Sequence, residues 1–400
     1  MRDFLADTRR CATCHWWEAE RLAGTLRGRV YTPRHALMGF CRSPESWWNG
    51  RPKQAESLCC FWQQWEQVSG LGARRTRLSL VMLGPAMPPS EFLKALTASA
   101  ASHVLLIEPL HFRYNPETGE TNAFQVPPSP GEEAELGALA LRQHHALRDL
   151  LVENGVAVTL TRSVEATPDG PFCNNWFSTQ PASDEAPATL ILYPLLAENR
   201  RTERRTDLVA LLRPAYPRLL DFSSNERKAR FLESTGSLVL DQDARTAYAA
   251  LSPRTDFSLA TEWARELEYD LVAFTAVDRA GIPYYHTNVL MFIGHGLAGV
   301  CLEAIRSPAE RSAVEAHLQR DGRQLLPLSQ EQTASFCGNC LALCSSAGEP
   351  LFVMSSRAWG AFSAEERARL ERHGRILHTD LSAFERLGGG SARCLMAELF

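Results

Sequence analysis

SLVLDQDARTAYAAL, residues 237–251, decides the fold: a small polar residue, a short apolar run, a turn, and a second apolar run that returns. Runs of this length bounded by turn residues read as two strands of a hairpin, and a helical stretch follows. The same order recurs along the chain. Asn175-Trp-Phe-Ser leads to TLILYPLLA (189–197), Asn288-VLMFIG leads to LAGVCLEA (297–304), and Asn339-CLAL leads to LFVMS (351–355). Cys394 opens what reads as a last strand, CLMAELF, at the end of the chain. Upstream, VLLI (104–107) and VAVTL (156–160) read as strands flanking an amphipathic helix over 132–151. Five such units predict a closed, radially repeated α/β architecture with the first strand of each unit near the axis. Asn175, Ser237, Asn288, Asn339 and Cys394 are then expected to converge on one central site.

Composition sets the outer limits. The 400 residues are 45% hydrophobic and 22% charged, which is the composition of a chain with a sizeable core. A net charge of −4 supplies no basic field for nucleic acid or anionic lipid, so the expected partner is a small molecule. No apolar run reaches membrane-spanning length and the first residues do not read as a signal peptide, which makes the expected location cytoplasmic. Eleven cysteines in that setting read as metal ligands, core residues or a nucleophile rather than as disulfides.

Five of those cysteines and six of the nine tryptophans lie in the first 65 residues, which marks a small module over 1–66. A Gly/Arg-rich stretch and Pro88-Pro89 then read as a linker over 67–101, and the main domain as 102–400. Cys11, Cys14, Cys41 and Cys59 (or Cys60), set among aromatic residues in a segment too small for its own core, are the expected ligands of a metal. An iron–sulfur cluster and a four-cysteine zinc site both suit this donor set, and the aromatic shell favours the cluster.

In the main domain, Cys394 follows a triple glycine and stands beside Arg393, an arrangement that lets a substrate approach and a cation lower a thiol pKa. His286, in YYHTNV at the entrance of an apolar strand, is placed to serve that thiol as general acid and base.

FCNNWFST (172–179), FLESTGSLVLD (231–241), RTAYAALSPRT (245–255), YHTNVLM (285–291), FCGN (336–339) and GGGSARC (388–394) together resemble the motifs of the citrulline-utilization hydrolase family. That family belongs to the guanidino-group-modifying superfamily of arginine deiminases and amidinotransferases. The resemblance spans about residues 102–400 and implies a five-bladed pseudo-symmetric α/β propeller, the pentein fold. It implies that Cys394 is the nucleophile, His286 the acid and base, and Glu233 the carboxylate that grips substrate nitrogens. No cofactor is implied for this chemistry. Arginine deiminases carry Asp at the positions of Asn175 and Asn288, and an amide suits a neutral ureido group where a carboxylate suits a guanidinium. Asn339 completes the expected substrate pocket. NRRTERR (199–205) also resembles a family segment, so Arg200 or Arg201 is a candidate for binding an α-carboxylate, against the reading of a solvated basic face.

The chain departs from the family at Glu108, where an arginine is expected, and in LSAFERL (381–387). CxxCxWW, GxCR and CxxW in the first module resemble the high-potential iron–sulfur-like domains of small glycyl-radical-enzyme subunits, such as those of benzylsuccinate synthase. The expected activity is hydrolysis of the ureido C–N bond of citrulline to ornithine, ammonia and carbon dioxide. The alternatives are an arginine-type deiminase or amidinotransferase, and a non-catalytic, metal-regulated amino-acid-binding protein. Oligomeric state is not legible.

Overall fold

A computed structural model describes residues 100–400, apart from 165–166, 184–185 and 321, and before residue 100 only the backbone of short strand segments. Of the expected metal ligands, Cys11, Cys14 and Cys59 (and Cys60) lie outside the described residues. Cys41 ends the segment Met38–Cys41, where its backbone pairs opposite Trp17.

The first sheet holds β1 (His103–Glu108) and β2 (Ala157–Arg162), which pair in parallel across helix α1 (Glu133–Glu153). Parallel partners need such a crossover. Val81–Leu83, inside the expected linker, pairs antiparallel on the outer side of β2. Four sheets follow, each an antiparallel hairpin whose second strand pairs in parallel with a third. They are β3 (Phe177–Gln180), β4 (Thr189–Leu192) and β5 (Arg218–Asp221); then β6 (Val239–Asp241), β7 (Thr246–Ala250) and β8 (Asp270–Phe274). Next come β9 (Met291–Gly294), β10 (Leu297–Val300) and β11 (Gln324–Pro327); then β12 (Leu341–Cys344), β13 (Pro350–Ser355) and β14 (Arg375–Thr379).

In the last three sheets the helices between second and third strands begin at side-chain caps: Asp256 Oδ1 accepts from Leu259 N at 2.7 Å, and Ser307 and Ser363 cap the helices that follow them. Trp263 on one of these helices is buried against the sheet and donates to Tyr193 Oη at 2.8 Å.

The first sheet has no hairpin of its own. Its inner strand comes from the end of the chain, β15 (Ala397–Glu398), antiparallel to β1 with Ala397 opposite Leu105. TLILYPLLA is strand only over Thr189–Leu192, because the rest leads into a 3₁₀ turn at Glu198–Glu203. Cys394 does not open a strand either: it sits on a helical turn, Ala392–Leu395, ahead of the two-residue β15. Ahead of three other inner strands there is likewise a short turn, Cys173–Asn175, Ser234–Ser237 and Thr287–Val289, and Asn339 holds the equivalent place before β12. Among the described residues no helix is long and apolar enough to cross a membrane.

Candidate active site

Two of the polar residues that precede the inner strands, Asn288 and Asn339, stand around the sulfur of Cys394, a residue 3% exposed. Asn339 Nδ2 donates to the sulfur at 3.3 Å and to Asn288 O at 2.9 Å, while its Oδ1 accepts from Arg393 N at 3.0 Å. The amide is therefore locked with its N–H side on the thiol. Asn288 Nδ2 stands 3.7 Å from the same sulfur.

Glu233 and His286 form the second part. His286 Nε2 and Glu233 Oε2 are 2.8 Å apart, both groups buried. Burial pushes the Glu233 carboxyl up, but Arg254, the imidazole and Arg200 together hold it well below the ordinary carboxylate range. Burial also lowers His286 to about 4, against the pull of Glu233. A carboxylate beside a neutral imidazole fixes the tautomer: Nε2 carries the proton and donates to Glu233, which leaves the Nδ1 lone pair free. Nδ1 is buried and has no hydrogen-bond partner, as a proton acceptor requires. Gly236 is needed here, since a Cβ on it would lie 2.6 Å from Asn175 Nδ2 and 2.7 Å from the His286 ring.

Arg200 and Arg254 line the same chamber. Arg200 makes a two-pronged pair with Glu203, at 2.9 Å on both nitrogens, and donates to Asn175 Oδ1 at 3.0 Å. Arg254 lies 3.5 Å from Glu233 Oε2 and donates to Thr118 O and Thr121 Oγ1, each at 2.8 Å. Asp169 accepts from Asn115 and Thr118 on one oxygen, while its buried Oδ1 has no partner.

The chamber is closed. Asn122 Nδ2 donates to Gly388 O at 3.1 Å, Gln125 Nε2 to Leu387 O at 3.0 Å, and Tyr285 Oη to Gly389 O at 2.5 Å. The volume open to the centre of a water molecule beside the thiol is about 10 Å³.

Several expectations change. Ser237 does not face the thiol; its Oγ donates to Arg254 O and accepts from Glu233 N, so it braces the Glu233 turn. Arg201, one step past Arg200 on the 3₁₀ turn, points away and donates to Leu195 O and Leu196 O. Arg393 does not bring the thiol into the reactive range: its guanidinium is spent on Glu398, 2.7 Å away, and burial pushes the Cys394 thiol up despite Ser391, Asn339, Arg393 and Asn288. Glu108 pairs with Arg162 and His145 outside the chamber. LSAFERL forms a helical turn, Ser382–Leu387, whose Glu385 accepts from Ser391 Oγ at 2.8 Å. Asp169, Arg254 and Tyr285 were not singled out from sequence, whereas Asn122, in ETGETNAFQ, resembles a family segment. Arg254 lies in the ALSPRT stretch of a quoted motif, but nothing local marks it as buried. Among the described residues no group of three or more His, Cys, Asp or Glu side chains is placed to hold a metal.

The model of one protein family, described as N,N dimethylarginine dimethylhydrolase, eukaryotic, matches residues 108–400. No curated protein matches. Among solved structures, apo ArgZ, an arginine dihydrolase from the ornithine–ammonia cycle in Cyanobacteria, superposes with a TM-score of 0.58 at 16% identity over 74% of this chain. The chain spans 40% of that protein's length. The substrate-bound N-terminal domain of ArgZ gives 0.58 at 15% identity, with 74% of this chain and 97% of that domain covered. A dimethylarginine dimethylaminohydrolase adduct with S-methyl-L-thiocitrulline gives 0.51 at 16% identity, covering 75% of this chain and all of the other. At these identities the likeness is one of fold: repeated small α/β sheets of the pentein type.

Proposed function

This chain belongs to the N,N-dimethylarginine dimethylhydrolase family and so to the hydrolases of non-peptide C–N bonds, and on that premise we propose that it hydrolyses the ureido group of citrulline. The observation that carries the choice is the pair of amides, Asn339 and Asn288, at 3.3 and 3.7 Å from Cys394 Sγ, in a site where Glu203 and Glu233 are held by the chain's own arginines and imidazole. An amide N–H beside the sulfur suits a neutral carbonyl at the attacked carbon.

In this reading His286 Nδ1 takes the thiol proton and Sγ attacks the ureido carbon. The terminal C–N bond breaks as the imidazolium returns its proton to the leaving nitrogen, and ammonia departs, leaving a thiocarbamate on Cys394. His286 then deprotonates a water that attacks the same carbon. The C–S bond breaks, the thiolate is reprotonated, and the released carbamate loses carbon dioxide to give ornithine. Arg200, expected for an α-carboxylate, is committed in the closed chamber to Glu203 and Asn175, and Asp169 Oδ1 is an acceptor for the α-ammonium. Substrate entry requires the Asn122–Gln125 cover to lift, because the closed chamber is far smaller than an amino acid.

A second reading, hydrolysis of arginine, is favoured by the raised thiol, since a guanidinium beside Sγ would promote its ionisation. Product analysis of the purified full chain on citrulline and arginine side by side decides. A higher kcat/KM for citrulline is expected; faster turnover of arginine overturns the ureido reading.

The same proposal extends to the rest of the chain. The five sheets form a closed propeller over about 102–400, preceded by a Cys-rich module over 1–66 and a connecting segment over 67–101. Cys11, Cys14, Cys41 and Cys59 are a donor set that suits an iron–sulfur cluster or zinc, a structural group outside the hydrolytic chemistry. Metal analysis of the full chain, expected to give a stoichiometric metal lost on Cys14→Ala, tests it; a metal-free native chain refutes it.

A further inference from the structure

The inner strands enclose a second cavity, on the other side of the Asn288 amide from the substrate chamber. Its volume open to water centres is about 70 Å³, and its walls come from β6, β9, β12 and β15. A smaller cavity of about 10 Å³, walled by β3, β6 and β15, adjoins it through the shared residues Leu240, Gln242 and Glu398. Each inner strand starts at a turn of the active site and runs to its hairpin turn, about 13 Å for four residues. The larger cavity accordingly extends from Asn288 and Arg393, next to the thiol, to Asp243 and Gly296, which are exposed at hairpin turns.

The interior of this passage is polar, which a core built only for stability avoids. Its buried charges cancel: Asp241 faces Arg323 at 2.5 Å and Arg393 faces Glu398 at 2.7 Å. The one further charge on the lining, Asp243, stands exposed at the hairpin end, and the passage is too narrow for an amino acid. Water fits, because a molecule needs only about 10 to 15 Å³ of such space and two to four polar partners. On the substrate side, the Asn122–Gln125 cover and the Tyr285 bond to Gly389 O close the chamber. The chemistry creates a matching need. Once ammonia has left the covalent intermediate, one water must reach the carbon on Sγ while the rest of the substrate still fills the chamber.

We propose that this axial cavity is the water entry route for the second half-reaction, delivering solvent to the Cys394 intermediate past the Asn288 amide. The proposal rests on the covalent mechanism above. It predicts that narrowing the passage slows deacylation and leaves acylation alone.

Leu240→Trp and Ile293→Trp place bulk at two different walls, and Leu240→Ala, which cannot overpack, widens the first. With citrulline or arginine, whichever the wild type turns over, both tryptophan variants should lose about tenfold in kcat while kcat/KM stays within about twofold, since kcat/KM reports the steps through ammonia release. Rapid-quench mass spectrometry should find most of the enzyme as the Cys394 adduct, and Leu240→Ala should match or exceed wild-type kcat. Unchanged kcat in natively melting tryptophan variants, a parallel fall of kcat and kcat/KM, or a slower Leu240→Ala enzyme overturns the route. Failure to trap any adduct on wild-type Cys394 overturns the covalent mechanism itself, a result separate from any difference among the variants.

Discussion

Asn339→Asp tests how the thiol is controlled without reference to any substrate. The substitution keeps Oδ1 as acceptor for Arg393 N but puts a carboxylate oxygen where Nδ2 now donates to Sγ, 3.3 Å away. At an effective dielectric of about 20, two unit charges at that distance repel by about 5 kcal/mol, equivalent to ~3.7 pH units. Thiolate and carboxylate then cannot coexist, and one proton stays shared between them. Burial already raises the Cys394 thiol, so the shift adds to an unfavourable start. The assay is iodoacetamide alkylation of Cys394 at pH 9, followed by peptide mass spectrometry to separate it from the other cysteines. Asn339→Asp should alkylate at least tenfold more slowly than wild type, with kcat/KM down by about a hundredfold or more. Asn339→Leu removes the donor without adding charge and should cost about 1 to 3 kcal/mol, a smaller loss of roughly tenfold to a hundredfold. Wild-type alkylation by Asn339→Asp, or equal impairment of both variants, would refute the electrostatic account.

Cys394→Ser should abolish turnover with an unchanged circular dichroism spectrum, because a hydroxyl is a far weaker nucleophile than a thiolate; retained activity sinks the covalent mechanism. Gly236→Ala forces a methyl into the Asn175 amide and the His286 ring, so activity should fall by about a hundredfold and stability by about 1 to 3 kcal/mol, read by kinetics and denaturant unfolding. His144 is fully buried with neither ring nitrogen partnered, and burial lowers it from 6.5 to about 3. The unfolded chain therefore binds a proton that the folded chain refuses, and stability should fall as pH drops through the window from about 6.5 towards 3, by about 1.4 kcal/mol per unit. His144→Leu should flatten the decline in melting temperature over that window, and an unchanged slope would count against the assignment.

The repeat of small polar residue, apolar strand, turn and apolar strand was readable because a hairpin with a buried inner strand needs that local order, whatever surrounds it. Asn175, Asn288, Asn339 and Cys394 could be named from it, since each stands two or three residues ahead of an inner strand. Linear order does not say which way such a residue faces. Ser237 has the same place in the repeat, yet its hydroxyl is taken by Arg254 O. Arg200 and Arg201 are adjacent, but a single step on a 3₁₀ turn rotates the side chain by about 120°, which sends one into the chamber and the other to Leu195 O. Arg254, Asp169 and Asn122 arrive from separate segments, and only folding brings them to one chamber. Arg393 stands beside the thiol in sequence, and from that a lowered pKa followed. The tertiary structure reverses it, because desolvation is a sum over every group packed around Sγ, and the cation is held by Glu398 instead.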